Sequence, residues 1–290
     1  MCRLFGFRSV VASQVHHSLL EAENALGTQS NAHPDGWGVA YYLEGAPHIT
    51  RSPTTALGDQ LFHRLSGVVS SETVLAHVRK ATHGDLTVLN CHPFQHGRWV
   101  FAHNGDIPDF AEHRPRLMER VAPRLRRYVL GETDSEVFFH MLLTRMAEDG
   151  PLSGRHGVID VVTALRDTIA LIRSLCDGPG ANPTGGQGER CLLTAMITDG
   201  DILVANHGGK ELFLSTYKTR CADRDACPYL AAECEAPSRT GKVNHCIVSS
   251  EPLLGENVWE ELREGDVVGV DHEMTMLRTR LDARSLAVIT

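Results

Sequence analysis

The sequence predicts an α+β fold of two packed sheets with helices in or around them. Three observations carry this reading. Short runs rich in aromatic and β-branched residues, separated by Gly-rich turns, fill the first hundred residues. Two sustained helical patterns occupy the middle, and strand-like runs then return. Strands, then helices, then strands again do not give the regular alternation of a parallel βαβ series.

In chain order, residues 4–8, 37–43, 74–79 and 99–103 read as strands. Between the second and third, residues 54–69 carry Leu57, Leu61, Leu65 and Val68 at helical spacing. Residues 111–130 look mostly helical but are interrupted by Pro115 and Pro123. Asp134 is a candidate N-cap for a helix over 135–148, with Val137, Phe138, Met141, Leu142 and Met146 on one face. Residues 156–176 carry Val158, Val161, Val162, Leu165, Ile169, Ile172 and Leu175, a sustained apolar stripe. Residues 177–189 hold five Gly and two Pro and read as a flexible loop, with a lid as one use for it. Residues 191–198, the Asp199-Gly200 turn and 201–206 give a hairpin signal. Residues 211–217, 246–249, 266–270 and 273–277 extend the strands.

Composition bounds the function. With 42% hydrophobic and 22% charged residues in 290, the chain is neither disordered nor too short for a full core. We read it as one domain, 1–290, with a core over 2–253 and C-terminal strands over 254–290 completing it. A net charge of −8 argues against broad electrostatic capture of nucleic acid or anionic membrane. No apolar run approaches the ~18 residues of a bilayer span. The N-terminus lacks the apolar stretch of a signal peptide, so a cytoplasmic location is expected and the eight cysteines read as thiols.

Cys2 is the most informative residue. Removal of Met1, which a small second side chain permits, would leave a thiol and a free α-amine on one residue. An amine with a pKa near 8 can act as base to that thiol. Taken alone, Cys2 is more often inert.

Other segments change that balance: Asp35-Gly36-Trp37-Gly38, the strand end His77-Val78-Arg79-Lys80-Ala81-Thr82, Asn90-Cys91-His92-Pro93-Phe94, His103-Asn104-Gly105, and Thr133-Asp134-Ser135-Glu136. With the MCRLFGF start and the later Ser249-Ser250-Glu251-Pro252-Leu253, the chain resembles the class II glutamine amidotransferases. Within them it resembles the stand-alone branch that includes glutathione-degradation and ergothioneine-pathway γ-glutamyl hydrolases. The resemblance implies a four-layer αββα N-terminal-nucleophile hydrolase sandwich of two antiparallel sheets. It implies Cys2 as nucleophile, with Asn104 and Gly105 receiving the oxyanion. Arg79 would bind the substrate α-carboxylate and Asp134 the α-ammonium, with Thr82 and His92 at further pocket positions.

These residue types suit those tasks. A side-chain amide and a backbone N–H can receive a developing oxyanion, and a planar guanidinium suits a carboxylate. Without the resemblance, His-Asn-Gly is an ordinary turn, Arg79 a surface ion-pair partner, Asp134 a helix cap and His92 a structural histidine. Lys80 departs from the aromatic residue usual after the arginine in the biosynthetic synthases.

Cys221, Cys227, Cys234, His245 and Cys246 lack a standard zinc spacing, and the Gly-rich segments lack a P-loop ending, so we expect no metal or organic cofactor. Arg114, Arg116, Arg120, Arg124, Arg126 and Arg127 form a basic stretch, read as a solvated face or a docking surface for an acidic partner. The expected activity is hydrolysis of a γ-glutamyl amide through a thioester on Cys2. The alternatives are a glutaminase subunit supplying ammonia to a separate synthase, or a non-catalytic γ-glutamyl-binding subunit that retains Met1.

Overall fold

The computed structural model describes residues 2–178, 190–221, 224–225, 227–238 and 241–282. The chain enters strand β1 (Arg3–Gln14), then a π-helical turn (His17–Glu21), helix α1 (Leu26–Gln29) and the hairpin β2 (Trp37–Leu43) and β3 (Ala46–Ser52). Helix α2 (Gln60–Val68) leads to β4 (Ser70–Val78), β5 (Phe94–His96) and β6 (Trp99–Asp106). The helical middle comprises α3 (Phe110–Arg120), α4 (Pro123–Arg126), α5 (Asp134–Asp149) and α6 (Val158–Cys176). Strands β7 (Leu192–Thr198), β8 (Leu203–Asn206), β9 (Phe213–Ser215), β10 (His245–Ser249), β11 (Glu260–Glu261), β12 (Asp266–Val270) and β13 (Met276–Arg280) follow.

The strands form two antiparallel sheets, ordered β11-β9-β10-β1-β4-β2-β3 and β13-β12-β8-β7-β6-β5. Side chains alternate across each strand, so both faces of both sheets find partners. Leu4, Leu75, Val100, Ala102, Met196 and Leu203 fill the space between the sheets. On the outer face of the first sheet, Phe5, Phe7, Trp37 and Val74 pack with Leu26 of α1 and Phe62 of α2. On the outer face of the second, Trp99 and Phe101 pack against Phe138, Phe139 and Leu165 of α5 and α6. The result is a four-layer αββα sandwich. Gly6 belongs to the middle seam: a Cβ there would lie 2.8 Å from Met196 Sδ. Burial on both faces explains why the central strands read as near-continuous apolar runs.

The α6 stripe is buried from Val158 to Ile172. Residues 111–130 divide into α3 and α4: Pro115 lies inside α3 and does not end it, contrary to expectation, while Pro123 starts α4, where its missing N–H costs nothing. Three further expectations change. Helix α2 forms, but Leu57, Leu61 and Val68 are exposed; only Leu65 of that set packs inward. Its phase is set elsewhere. Asp59 caps the helix through Leu61 N at 2.8 Å and accepts Trp37 Nε1 at 3.0 Å, while Phe62 meets Trp37 edge-on. The N-cap of α5 is Thr133, which accepts Glu136 N at 3.2 Å, and Asp134 is the first helical residue. The strand expected over 273–277 is β13, displaced because Asp271 Oδ1 accepts Glu273 N and Thr275 N in a turn. Most of the candidate lid, residues 179–189, lies outside the described residues. Among the described residues, no helix is long and apolar enough to cross a membrane.

Candidate active site

Cys2 lies just before β1, half-buried, where that strand pairs with β4 on one side and β10 on the other. The pairing of Arg3 with Val78 brings the end of β4 beside it. Cys2 Sγ lies 3.4 Å from both the amide nitrogen and the carbonyl oxygen of Lys80. Burial pushes the Cys2 thiol up from its ordinary value, opposed by the Lys80 hydrogen bond and the Arg79 charge and reinforced by Asp134. Cys2, Arg79 and Asp134 therefore share one electrostatic neighbourhood.

The Asp-Gly-Trp-Gly motif fixes the segment after β4. Arg79 N donates to Gly36 O at 2.7 Å, Asp35 N to Arg79 O at 3.0 Å, and Ala81 N to Asp35 Oδ2 at 2.8 Å. Its glycines allow the Asn-Cys-His-Pro-Phe segment to approach. A Cβ on Gly36, which has φ +140, would meet Cys91 Sγ at 2.7 Å, and one on Gly38 would meet His92 O at 2.1 Å. Arg79 is buried, and its guanidinium donates to the carbonyls of His83, Gly84 and Asp85 at 2.7–3.2 Å. The surface ion-pair reading of Arg79 is thereby replaced: it organises the loop that follows it.

Asn104 and Gly105 sit near the end of β6, paired with Thr194 and Leu193 of β7. A Cβ on Gly105 would lie 1.8 Å from Leu192 O, so no other residue fits. Asn104 is buried; its Nδ2 reaches Ser250 Oγ at 3.5 Å, and its Oδ1 has no partner among the described residues. Ser250 Oγ also accepts Leu4 N at 2.9 Å, Ser250 N donates to Leu4 O at 3.0 Å, and Arg3 Nε pairs with Glu251 Oε1 at 2.5 Å. The Ser249–Leu253 stretch thus fastens the strand that carries Cys2 and links it to Asn104.

Asp134 is buried at the start of α5. Its Oδ1 accepts Ser135 N at 2.8 Å and its Oδ2 accepts Ile107 N at 2.9 Å. His83 and Asp106, 2.9 Å apart, stand close to it. That pairing raises His83 above and lowers Asp106 below their ordinary values. Thr82, exposed, bonds to Asp106. Residue spacing gave no signal for His83 or Asp106, which become relevant only through contacts made across the fold; Ser250 lies in the Ser249–Leu253 motif, but its link to Asn104 appears only in the structure.

His92 makes no hydrogen bond to these groups, although the Arg79 charge acts on it. Its ring is buried 4.1 Å from that of His77 and 4.6 Å from that of Phe94, and neither ring nitrogen has a hydrogen-bond partner among the described residues. Burial depresses His92 well below its ordinary value and His77 to about 3, so both rings are neutral near pH 7.

Among the described residues, His83, Asp106 and Asp134 are also the group whose ligand atoms come close enough to hold an ion. Their mutual and backbone hydrogen bonds already engage those atoms. Cys234 Sγ instead receives Asn244 Nδ2 at 3.1 Å. Surface cavities of about 380, 320 and 320 Å³ are lined by none of the candidate residues.

Two antiparallel sheets flanked by helices thus carry a thiol, a buried guanidinium, a buried carboxylate and a strand-end amide, the set of groups that the resemblance to the class II amidotransferases implies. A family model for class-II glutamine amidotransferases matches residues 1–285, and the chain belongs to that family. It is 29% identical over 227 residues to the probable glutamine amidotransferase DUG3 of Saccharomyces cerevisiae, a match covering 71% of this chain and 63% of the yeast protein. The putative glutamine amidotransferase YafJ of Escherichia coli is 22% identical over 92% of this chain and 96% of its own length. A γ-glutamyl-hercynylcysteine sulfoxide hydrolase of Mycobacterium tuberculosis is 35% identical over 37% of this chain and 50% of its length. Among solved structures, a glutamine aminotransferase class-II domain protein from Silicibacter pomeroyi has the same fold (TM-score 0.63, 23% identity, 96% of this chain and 99% of that one).

Proposed function

We propose that this enzyme hydrolyses a γ-glutamyl amide bond through a γ-glutamyl thioester on Cys2. The observation that carries the reading is the position of the Cys2 thiol, held by the Lys80 backbone, within reach of the Arg79 and Asp134 charges. A glutamyl group carries a carboxylate and an ammonium to complement those two. With Met1 removed, the α-amine of Cys2 takes the thiol proton. The thiolate attacks the γ-carbonyl, and the Asn104 side chain and Gly105 N–H receive the oxyanion. The C–N bond breaks, the α-ammonium protonates the leaving amine, and water then hydrolyses the thioester to glutamate.

Thr82, through Asp106, and His92, through His77, shape the pocket rather than react. That one relative bears the name of a γ-glutamyl hydrolase supports a γ-glutamyl amide or peptide, rather than glutamine, as the substrate of this chain. The test is glutamate release by Met-free protein from γ-glutamyl peptides and from glutamine. Loss of release in Cys2→Ala is expected; undiminished release would overturn the reading. Glutamine as the sole good substrate would favour ammonia delivery to a synthase partner.

A further inference from the structure

Arg79 and Asp134 are buried, whereas the Cys2 thiol on which their charges act is half-buried and Lys80 beside it is exposed. On the hydrolase reading the glutamyl end faces the buried pair, which leaves Lys80 on the side of the leaving amine. Its backbone amide and carbonyl both lie 3.4 Å from Cys2 Sγ, which puts its Cα beside the thiol. Neighbouring side chains diverge there: Arg79 is buried, whereas Lys80 is exposed.

Lys80 has no ion-pair partner among the described residues, unlike Arg3, which Glu251 neutralises. His33 is buried, its ring Nδ1 2.7 Å from Gln29 O. Burial lowers His33 first, and the Arg3 and Lys80 charges lower it further, so both cations lie near this ring. In a chain of net charge −8, an unpaired cation beside the nucleophile calls for an anion from outside.

We propose that Lys80 is a specificity-determining residue that recognises a carboxylate on the leaving amine, so that the preferred substrates are γ-glutamyl-amino acids or γ-glutamyl peptides with a free C-terminus. This inference rests on the γ-glutamyl hydrolase reading and narrows its substrate class. Lys80 acts on the leaving group and takes no part in proton transfer.

The experiment compares kcat/KM for γ-glutamylglycine, γ-glutamylglycinamide and glutamine on Met-free wild type, Lys80→Met, Lys80→Glu and Lys80→Arg. The readout is the ratio of γ-glutamylglycine to γ-glutamylglycinamide, which cancels any general effect on the nucleophile. Wild type should favour the carboxylate about fivefold, the upper end for an ion pair open to solvent. Lys80→Met should bring the ratio near one through KM, Lys80→Glu should reverse it, and Lys80→Arg should keep it. The wild-type ratio should shrink as salt is raised. A wild-type ratio near one, or a ratio unchanged in Lys80→Met, overturns the Lys80 assignment while leaving the hydrolase reading intact. No glutamate release from any of the three compounds overturns both.

Discussion

Asp134 Oδ2 accepts the backbone N–H of Ile107 at 2.9 Å, which fastens the first turn of α5 to the end of β6, the strand that bears Asn104 and Gly105. The residue proposed to hold the substrate ammonium thus also sets the spacing between the two walls of the site.

Asp134→Asn separates these two tasks. Thr133 remains the helix cap, so α5 should form. One amide N–H₂ must face a backbone donor, either Ile107 N–H or Ser135 N–H, so stability should fall by about 1–3 kcal/mol. Preference for a γ-glutamyl substrate over its analogue lacking the α-amine should largely vanish. Measured kcat/KM values for the pair, with thermal melts, check both; an unaltered preference would leave Asp134 a purely structural residue.

The nucleophile is tested by labelling. The glutamine analogue 6-diazo-5-oxo-norleucine should modify Cys2 alone: Cys91, Cys176, Cys191, Cys234 and Cys246 are buried, and Cys221 and Cys227, half-buried like Cys2, serve as internal controls for site-directed rather than exposure-driven labelling. Because burial raises the Cys2 thiol, its alkylation by iodoacetamide should accelerate as pH rises through neutrality. Peptide mapping that finds the analogue on another cysteine would remove Cys2 from the mechanism.

Oxyanion stabilisation predicts that Asn104→Ala lowers kcat roughly 10²–10³-fold with little change in KM. Ser250→Ala, which frees the Asn104 amide and the Leu4 N–H, should lower kcat by about tenfold. Steady-state kinetics on both variants are the check. Equal kcat in wild type and Asn104→Ala would confine that residue to shaping the strand end.

His77 predicts an acid sensitivity. Its folded value is about 3 against about 6.5 unfolded. Between these the unfolded chain binds the extra proton, so stability is full above pH 6.5 and falls as pH drops toward 3. The slope is about 1.4 kcal/mol per pH unit for one such histidine. Denaturant melts at pH 7 and pH 5 should show the loss, and His77→Phe, which can keep the stack on His92, should reduce it. An undiminished slope in that variant would assign the sensitivity to another group, such as His245, which burial lowers to about 4.

The phase of α2 is testable by two neighbouring residues. Phe62→Ala should cost about 3–5 kcal/mol, while Leu61→Gln should change stability by less than about 0.5 kcal/mol. The opposite order in equilibrium melts would restore the leucine stripe as the buried face.

Much of this protein is legible in local pattern. The strands around Phe5, Trp37, Leu75 and Phe101 and the long α6 stripe were visible because runs of apolar residues and a 3.6-residue period follow from backbone geometry alone. The site motifs were visible as residue types in order, and the family resemblance rests on them.

What the sequence alone determined is which residues carry reactive or charged groups and which segments are strand or helix. Tertiary structure decided the rest, because it depends on partners distant in the chain. The Leu57-Leu61-Leu65-Val68 stripe has helical period, but Leu57 precedes α2 and, of the rest, only Leu65 packs inward, since Trp37 and Asp59 set the rotation of the helix. Asp134 has cap chemistry, but Thr133 takes the cap because Ile107 and Ser135 claim the Asp134 oxygens. Ser250 belongs to a motif the sequence shows, but it meets Leu4 and Asn104 because β10 pairs with β1. A single residue's chemistry is written locally; which atom it meets is set by pairings between segments up to 248 residues apart, as with Arg3 and Glu251.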